Sequence, residues 1–457
     1  MKILLILSFT LILVSGFSQT SSDDSLMVKR IFNEALSNNE SYSNLEYLCK
    51  NIGGRICGSP QAAAAVEYTY QLMKQMPFDT VFLQATKVAA WKRGKPEKGR
   101  IISPSFGQFD VNVCALGGSV GTGKSGVLAN VIEVADIEEL NKLKTADVKG
   151  KIVFFNKPFN PTYFYTFQSY GEVAGNRFHG PKTASEMGAS AVIVRSLTHL
   201  SDTITHTGIT KYLDVKNPIP SFAISTIDAD KLSELLKSDA SLKVYLESDC
   251  QVLEDMNSFN VIGEIKGSTY PDRIISVGGH IDAWDNGEGA HDDGVGSMQS
   301  IEVARIFFKL GIKPQNTLRV VIFMDEEMNQ RGAKTYADEI ISENEKHYFA
   351  FESDRGGFSP LGFSVDADSS FMVKMNLWFG LLYDYGVYKI EKGYSGVDVF
   401  PLKKYNIPLA ALITDSQRYF DYQHGESDKF EAVNHREMQL GSAAIASFIY
   451  FIDKLGY

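Results

Sequence analysis

Cysteine is scarce: Cys49, Cys57, Cys114 and Cys250 are the only four in 457 residues. So few cannot build the disulfide framework of a small secreted scaffold, although one or two bridges fit and spacing assigns no pairing. None stands at the spacing of a thiolate metal site. Basic clusters are missing too. With a formal charge of −10 and no lysine- or arginine-rich run, the chain lacks the cationic footprint of a nucleic-acid surface. Beyond the amino terminus no stretch approaches the roughly 18 uninterrupted apolar residues of a membrane-spanning helix. GTGKS, residues 121–125, looks like a fragment of a phosphate loop, but it lacks the full spacing and follows no strong strand. Nucleotide binding is therefore not expected.

What is present begins with a leader. Residues 1–18 carry Lys2, an apolar core from Ile3 to Val14, and the small residues Ser15 and Gly16. This is the form of a cleaved secretory signal, and its core is too short to span a bilayer. The expected mature protein is exported and soluble, either extracellular or periplasmic. Hydrophobic residues make up 44% and charged residues 22%, ordinary values for a globular chain. Its length exceeds that of one core, so two domains are expected.

The chemistry concentrates in residues 274–297, IISVGGHIDAWDNGEGAHDDGVGS. Ile274–Val277 reads as a buried strand, and His280 follows at its carboxyl end, the edge where open α/β sheets place ligands. Asp282 lies two residues on, within reach of the other imidazole nitrogen. Gly287, Gly289, Gly294 and Gly296 bracket Asp292 and Asp293, so backbone and carboxylates can crowd there. The pattern recurs downstream. LRVVIFM ends in Asp325-Glu326-Glu327, YFAFE ends in Ser353-Asp354, and His424 lies in YQHGESD after the strand-like LAALITD.

Acids and histidines at the ends of successive buried strands suit a pair of zinc ions. Such ions sit about 3.5–4 Å apart and need one bridging carboxylate with two further ligands each. Asp292 is the expected bridge, His280 and Asp354 complete one ion, and Glu327 and His424 the other. Glu326 is left over beside a ligand, placed to take a proton from water.

These motifs, with FMDEEMNQRGA, FESDRG and YSGVDVFPL, resemble the di-zinc aminopeptidase and glutamate carboxypeptidase family. IGGRICGS, AWKRG, LGGSVGT, GKIVFFNKPF, THTG and IPSFAIS are also similar to segments of that family, so the resemblance runs from about residue 25 to the carboxyl terminus. It implies the same ligand set, with Glu326 as general base. It also implies an α/β fold: a mixed central sheet sandwiched by helices, with an inserted protease-associated αβ domain. The expected division is residues 19–117 and 248–457 for the catalytic domain and 118–247 for the insert. Strands at Thr80–Ala90 and Arg100–Ser103 are expected to lead into the main sheet. Small peptides or dipeptides are the implied substrates, and a homodimer the implied assembly.

Three further residues stand out. Asp398, after a glycine-rich approach, is expected at the substrate pocket, the alternative being a helix cap beside Gly396. His206, in the insert's His-Thr-Gly, is expected to reach toward a catalytic cleft, its own or a dimer partner's. His291 abuts the ligand loop, but adjacent loop side chains diverge, so a ligand role is not expected. Cys57 stands where the family commonly has serine. Two other readings stay open: a catalytically inactive receptor-like binding protein, and a glutaminyl cyclase-type acyltransferase using one metal on the same fold.

Overall fold

The structure, a computed structural model, describes residues 22–38, 40–212 and 214–456. The expected leader lies outside the described residues. Two eight-stranded sheets organise the chain. The main sheet runs in the order Thr80–Lys92, Gln251–Ile265, Asn316–Phe323, Tyr270–His280, Lys346–Glu352, Leu409–Thr414, Pro360–Asp366 and Lys389–Lys392.

Four neighbouring strands at its centre are parallel: Asn316–Phe323, Tyr270–His280, Lys346–Glu352 and Leu409–Thr414. Their sequences are near-continuous apolar runs because both faces are covered. Along Asn316–Phe323, Leu318, Val320 and Ile322 enter the larger core, beneath helices Val295–Leu310 and His435–Leu455. Val321 and Phe323 point the other way, onto Ala333, Tyr336 and Ile340 of helix Arg331–Ser342. Alternation of successive side chains thus yields the helix–sheet–helix sandwich. Register pairs His280 with Phe323 and Gly278 with Glu352, so the loops following all these strands open at one edge.

The second sheet comprises Gly107–Val111, Lys98–Ser103, Lys243–Glu247, Val127–Val134, Ile152–Phe155, Ala191–Arg195, Ser221–Ile224 and Val113–Ala115, in that order. Here one expectation fails. Arg100–Ser103 does not lead into the main sheet; it pairs with Lys243–Glu247, and Ile101 is buried in the second sheet's own core. The cause is pattern: Gly99, Ile101 and Ser103 are buried in alternation, a face already matched by Val244 and Leu246.

The two sheets meet in a small aromatic core. Phe159, Val173, Ala174 and Leu197 from the second unit pack on Phe358, Tyr419 and Phe420 of the first. Helix Thr166–Phe178 forms one side of this seam. Among the described residues no helix is long and apolar enough to cross a membrane.

All four cysteines are buried and free. Burial raises the Cys49 and Cys250 thiols to about 12 and that of Cys114 to about 11, so none is poised as a thiolate. A thiol-reactive chromophore should therefore titrate four groups in denatured protein and essentially none in native protein. Two or fewer in the denatured chain would reveal a disulfide.

Candidate metal centre

His280 ends its strand and is fixed from three sides. Its amide donates to Asp293 Oδ2 at 3.1 Å, and its carbonyl accepts from the Ser297 hydroxyl at 2.7 Å. Its Nδ1 lies 2.9 Å from the Asp282 backbone carbonyl. The expected carboxylate partner is thus replaced by a carbonyl of the same residue, with the Asp282 carboxylate at 3.8 Å. That carboxylate instead accepts the amides of Glu326 (3.2 Å) and Glu327 (3.3 Å), tying the second ligand loop to the first.

Asp292 is held through its main chain. The Asp428 carboxylate accepts from the amides of His291 (2.7 Å) and Asp292 (3.1 Å), and the Asp292–Asp293 peptide is cis. Crowding is severe at Gly296, where a Cβ would sit 1.8 Å from the Ser353 carbonyl oxygen. Only glycine allows the two loops to approach so closely.

The side chains converge as two overlapping triplets. His280 Nε2 is 3.4 Å from Asp292 Oδ1 and 3.6 Å from Asp354 Oδ1. His424 Nε2 is 3.2 Å from Asp292 Oδ2 and from Glu327 Oε2. Each triplet, His280–Asp292–Asp354 and Asp292–Glu327–His424, brings its ligand atoms within 4.8 Å of one another, and Asp292 belongs to both. Glu326 lies beside them, Oε2 at 4.0 Å from His280 Nε2, and enters neither triplet.

The electrostatics fit cations. His280 Nε2, Asp292 Oδ2, Glu327 Oε1 and Asp354 Oδ1 are buried atoms without a hydrogen-bond partner, an expensive condition that a metal ion relieves. Burial, with the charges of Glu327, Asp354 and Asp398, pushes Glu326 well above the usual carboxylate range. Burial would lower His424, but Glu327 and Asp292 override it and raise the imidazole to about 9.

A cavity of about 1110 Å³ opens over this edge. Asp292, Glu326, Glu327, Asp354 and His424 line it, and Tyr170 and Arg177 of helix Thr166–Phe178 face them from the second unit. The remaining candidates fall elsewhere. Asp398 is fully buried, neither oxygen has a hydrogen-bond partner, and it does not line the cavity. It caps no helix either: Val399 holds the N-cap of the following 3-10 turn Phe400–Tyr405. His206 is buried, with Nδ1 2.7 Å from the Gln423 carbonyl, and meets the His424 turn of its own chain rather than the cavity. His291 stacks on Phe358 at 4.3 Å and takes the Gly357 amide on Nδ1, away from the triplets.

Arg55, in IGGRICGS, stood outside the sequence-derived set. Its fully buried guanidinium donates to the carbonyls of Ile281 (2.5 Å), Glu288 (2.6 Å) and Gly289 (2.8 Å), clamping the ligand loop. An arginine among glycines and isoleucines was the available signal. Cys57 Sγ lies 3.1 Å from Asp325 Oδ1. Burial and the neighbouring Asp282 charge raise Asp325 to about 7, and the thiol partly offsets them.

This chemistry is that of a metal-dependent hydrolase, and comparison with known proteins gives its family. Residues 260–449 match the profile of peptidase family M28. The chain belongs to that family and is a metallopeptidase. Carboxypeptidase Q of Mus musculus is 30% identical over 414 residues, 91% of this chain and 86% of the relative. That of Xenopus laevis is 32% identical over 415 residues, again 91% and 86%. The crystal structure of a peptidase M28 precursor from Shewanella amazonensis superposes with a TM-score of 0.90 at 31% identity, covering 95% of this chain and 97% of that one. A zinc aminopeptidase from Bacillus subtilis shares the fold at a TM-score of 0.65 and 20% identity, over 90% and 94% of the two chains.

Replacing Arg55 with methionine strips a donor from the carbonyls of Ile281, Glu288 and Gly289; that of Gly289 keeps the Gly294 amide, while a buried carbonyl left without a partner costs about 1–3 kcal/mol. Urea unfolding of Arg55→Met should show a loss of at least about 2 kcal/mol. An unchanged midpoint would mean that the clamp carries no load.

Proposed function

We propose that this chain is an exported zinc exopeptidase or dipeptidase that cuts peptide bonds of small peptides. The observation that carries the reading is the sharing of Asp292 between two histidine–carboxylate triplets with one unspent glutamate alongside. His280, Asp292 and Asp354 would hold one zinc ion; Asp292, Glu327 and His424 would hold the second. Bound there, the pair supplies Lewis-acid polarisation of a carbonyl and lowers the pKa of water.

Every other part falls to protein groups. Glu326, on the cavity wall beside both triplets, accepts the proton of the attacking water and returns it to the leaving amine. The Asp282 carboxylate holds the amides of Glu326 and Glu327, so base and ligand keep a fixed separation. Tyr170 and Arg177 supply part of the cavity wall from the second unit, facing the triplets. We read the unit built on the second sheet, whose strands run from Lys98 to Glu247, as the protease-associated insert expected at residues 118–247, with the strands of residues 98–115 joined to it. The relatives' names favour peptides as substrates, and the amino-terminal leader favours export.

In Glu326→Gln, zinc content should stay near that of wild type while turnover of a free dipeptide falls about 10²–10⁴-fold. Full activity with intact zinc would remove Glu326 from the reaction. Metal analysis of wild-type protein should give two zinc ions per chain; one would favour the cyclase-type reading. Two ions with no cleavage of any peptide would favour the receptor-like one.

A further inference from the structure

The two halves of the centre are not held alike. His280 draws its contacts from residues 282, 293 and 297, all on the loop and helix that follow its own strand. His424 sits in the left-handed region at φ +59°, uncommon outside glycine, and its turn is gripped by the second unit. The Thr207 amide donates to the His424 carbonyl at 3.0 Å, and His206 forms an antiparallel bridge with Gly425. His206 Nδ1 lies 2.7 Å from the Gln423 carbonyl. His424 Nδ1 lies 3.2 Å from the Thr207 carbonyl, to which Arg177 Nη1 also donates at 3.3 Å.

The gripping loop is itself anchored. The Thr207 hydroxyl donates to the Ala115 carbonyl at 2.7 Å, and the His206 amide donates to Ser196 Oγ at 2.9 Å. Gly208 lies at φ +133° with its open face against the Arg177 guanidinium, where a Cβ would come 2.5 Å from Cζ. From the main-sheet side, Asn286 adds one bond to the His424 carbonyl at 2.9 Å.

A carbonyl can only accept. With Thr207's carbonyl at Nδ1, the proton belongs there, and the lone pair is left on Nε2, facing Asp292 and Glu327. Arg177 Nη1, 3.3 Å from the same Nδ1, is a second donor converging on that carbonyl rather than a partner of the ring.

We infer that the loop His206–Gly208 of the second unit is the positioning element of His424, so that the Asp292–Glu327–His424 half of the centre is built across two units and is the more easily emptied half. This rests on the two-zinc reading above. The main-sheet half keeps its ion when the seam loosens; the shared half does not.

Zinc titration of the full chain against a chromophoric chelator tests this without reference to turnover. Wild type should bind two ions. His206→Leu, which removes the donor to Gln423, should weaken one of them about 10–100-fold and leave the other unchanged. His206→Asn, whose side-chain amide can make that bond again, should restore most of the loss. Gly208→Ala should reproduce the leucine phenotype from a different residue. In a Glu327→Ala background, where the same ion is already lost, His206→Leu should leave the remaining ion's affinity unaltered. The inference is overturned if His206→Leu binds both ions as wild type does, weakens both together, or behaves no differently from His206→Asn. Fewer than two ions in wild type would overturn the two-zinc reading itself, before any variant is compared.

Discussion

One carboxylate between two imidazoles organises this protein. The oxygens of Asp292 face different histidines, Oδ1 toward His280 and Oδ2 toward His424, and each histidine brings one further acid. Burying so many acids at one sheet edge is unfavourable unless cations are there to share them. The rest of the architecture sets that arrangement in place. Parallel strands end together, glycines let loops touch, and a second unit reaches over to hold the last ligand.

Four acids outside the triplets share one task. Asp293 accepts the amides of His280 and Gly296; Asp428 accepts those of His291 and Asp292. Asp282 accepts Glu326 and Glu327, and Glu352 accepts Val397 and Val399 at 2.9 and 2.8 Å. Each carboxylate thus pins two main-chain amides of a loop at the centre. Even at the net value of an ordinary hydrogen bond, about 0.5–1.5 kcal/mol apiece, paired bonds of this kind fix loops that carry no regular structure.

This explains what could be read from sequence and what could not. The strand–acid grammar at residues 274–297, 318–327 and 348–354 made the sandwich and its active edge legible, because buried parallel strands write themselves as apolar runs. The separation of ligand from clamp was less legible. Asp292 and Asp293 are chemically identical neighbours, and only the local chain direction sends one to the histidines and the other to backbone amides. Asp282 offered its carbonyl instead of its carboxylate to His280 for the same reason. Helix Thr166–Phe178 was invisible: Gly171 and Gly175 weaken its propensity, and its buried face is stitched from Val173, Ala174 and Arg177 rather than an apolar stripe. Arg177 and Tyr170 were missed with it. His206 was noticed, but its partner, a turn more than two hundred residues away, is defined by tertiary contact alone.

The central claim is that two cations share Asp292. Anomalous scattering at the zinc edge from crystals of the zinc-loaded protein measures it directly. The account requires two peaks about 3.5–4 Å apart flanking the Asp292 carboxylate, one beside His280 and one beside His424. A single peak, or ions bound away from Asp292, would contradict it.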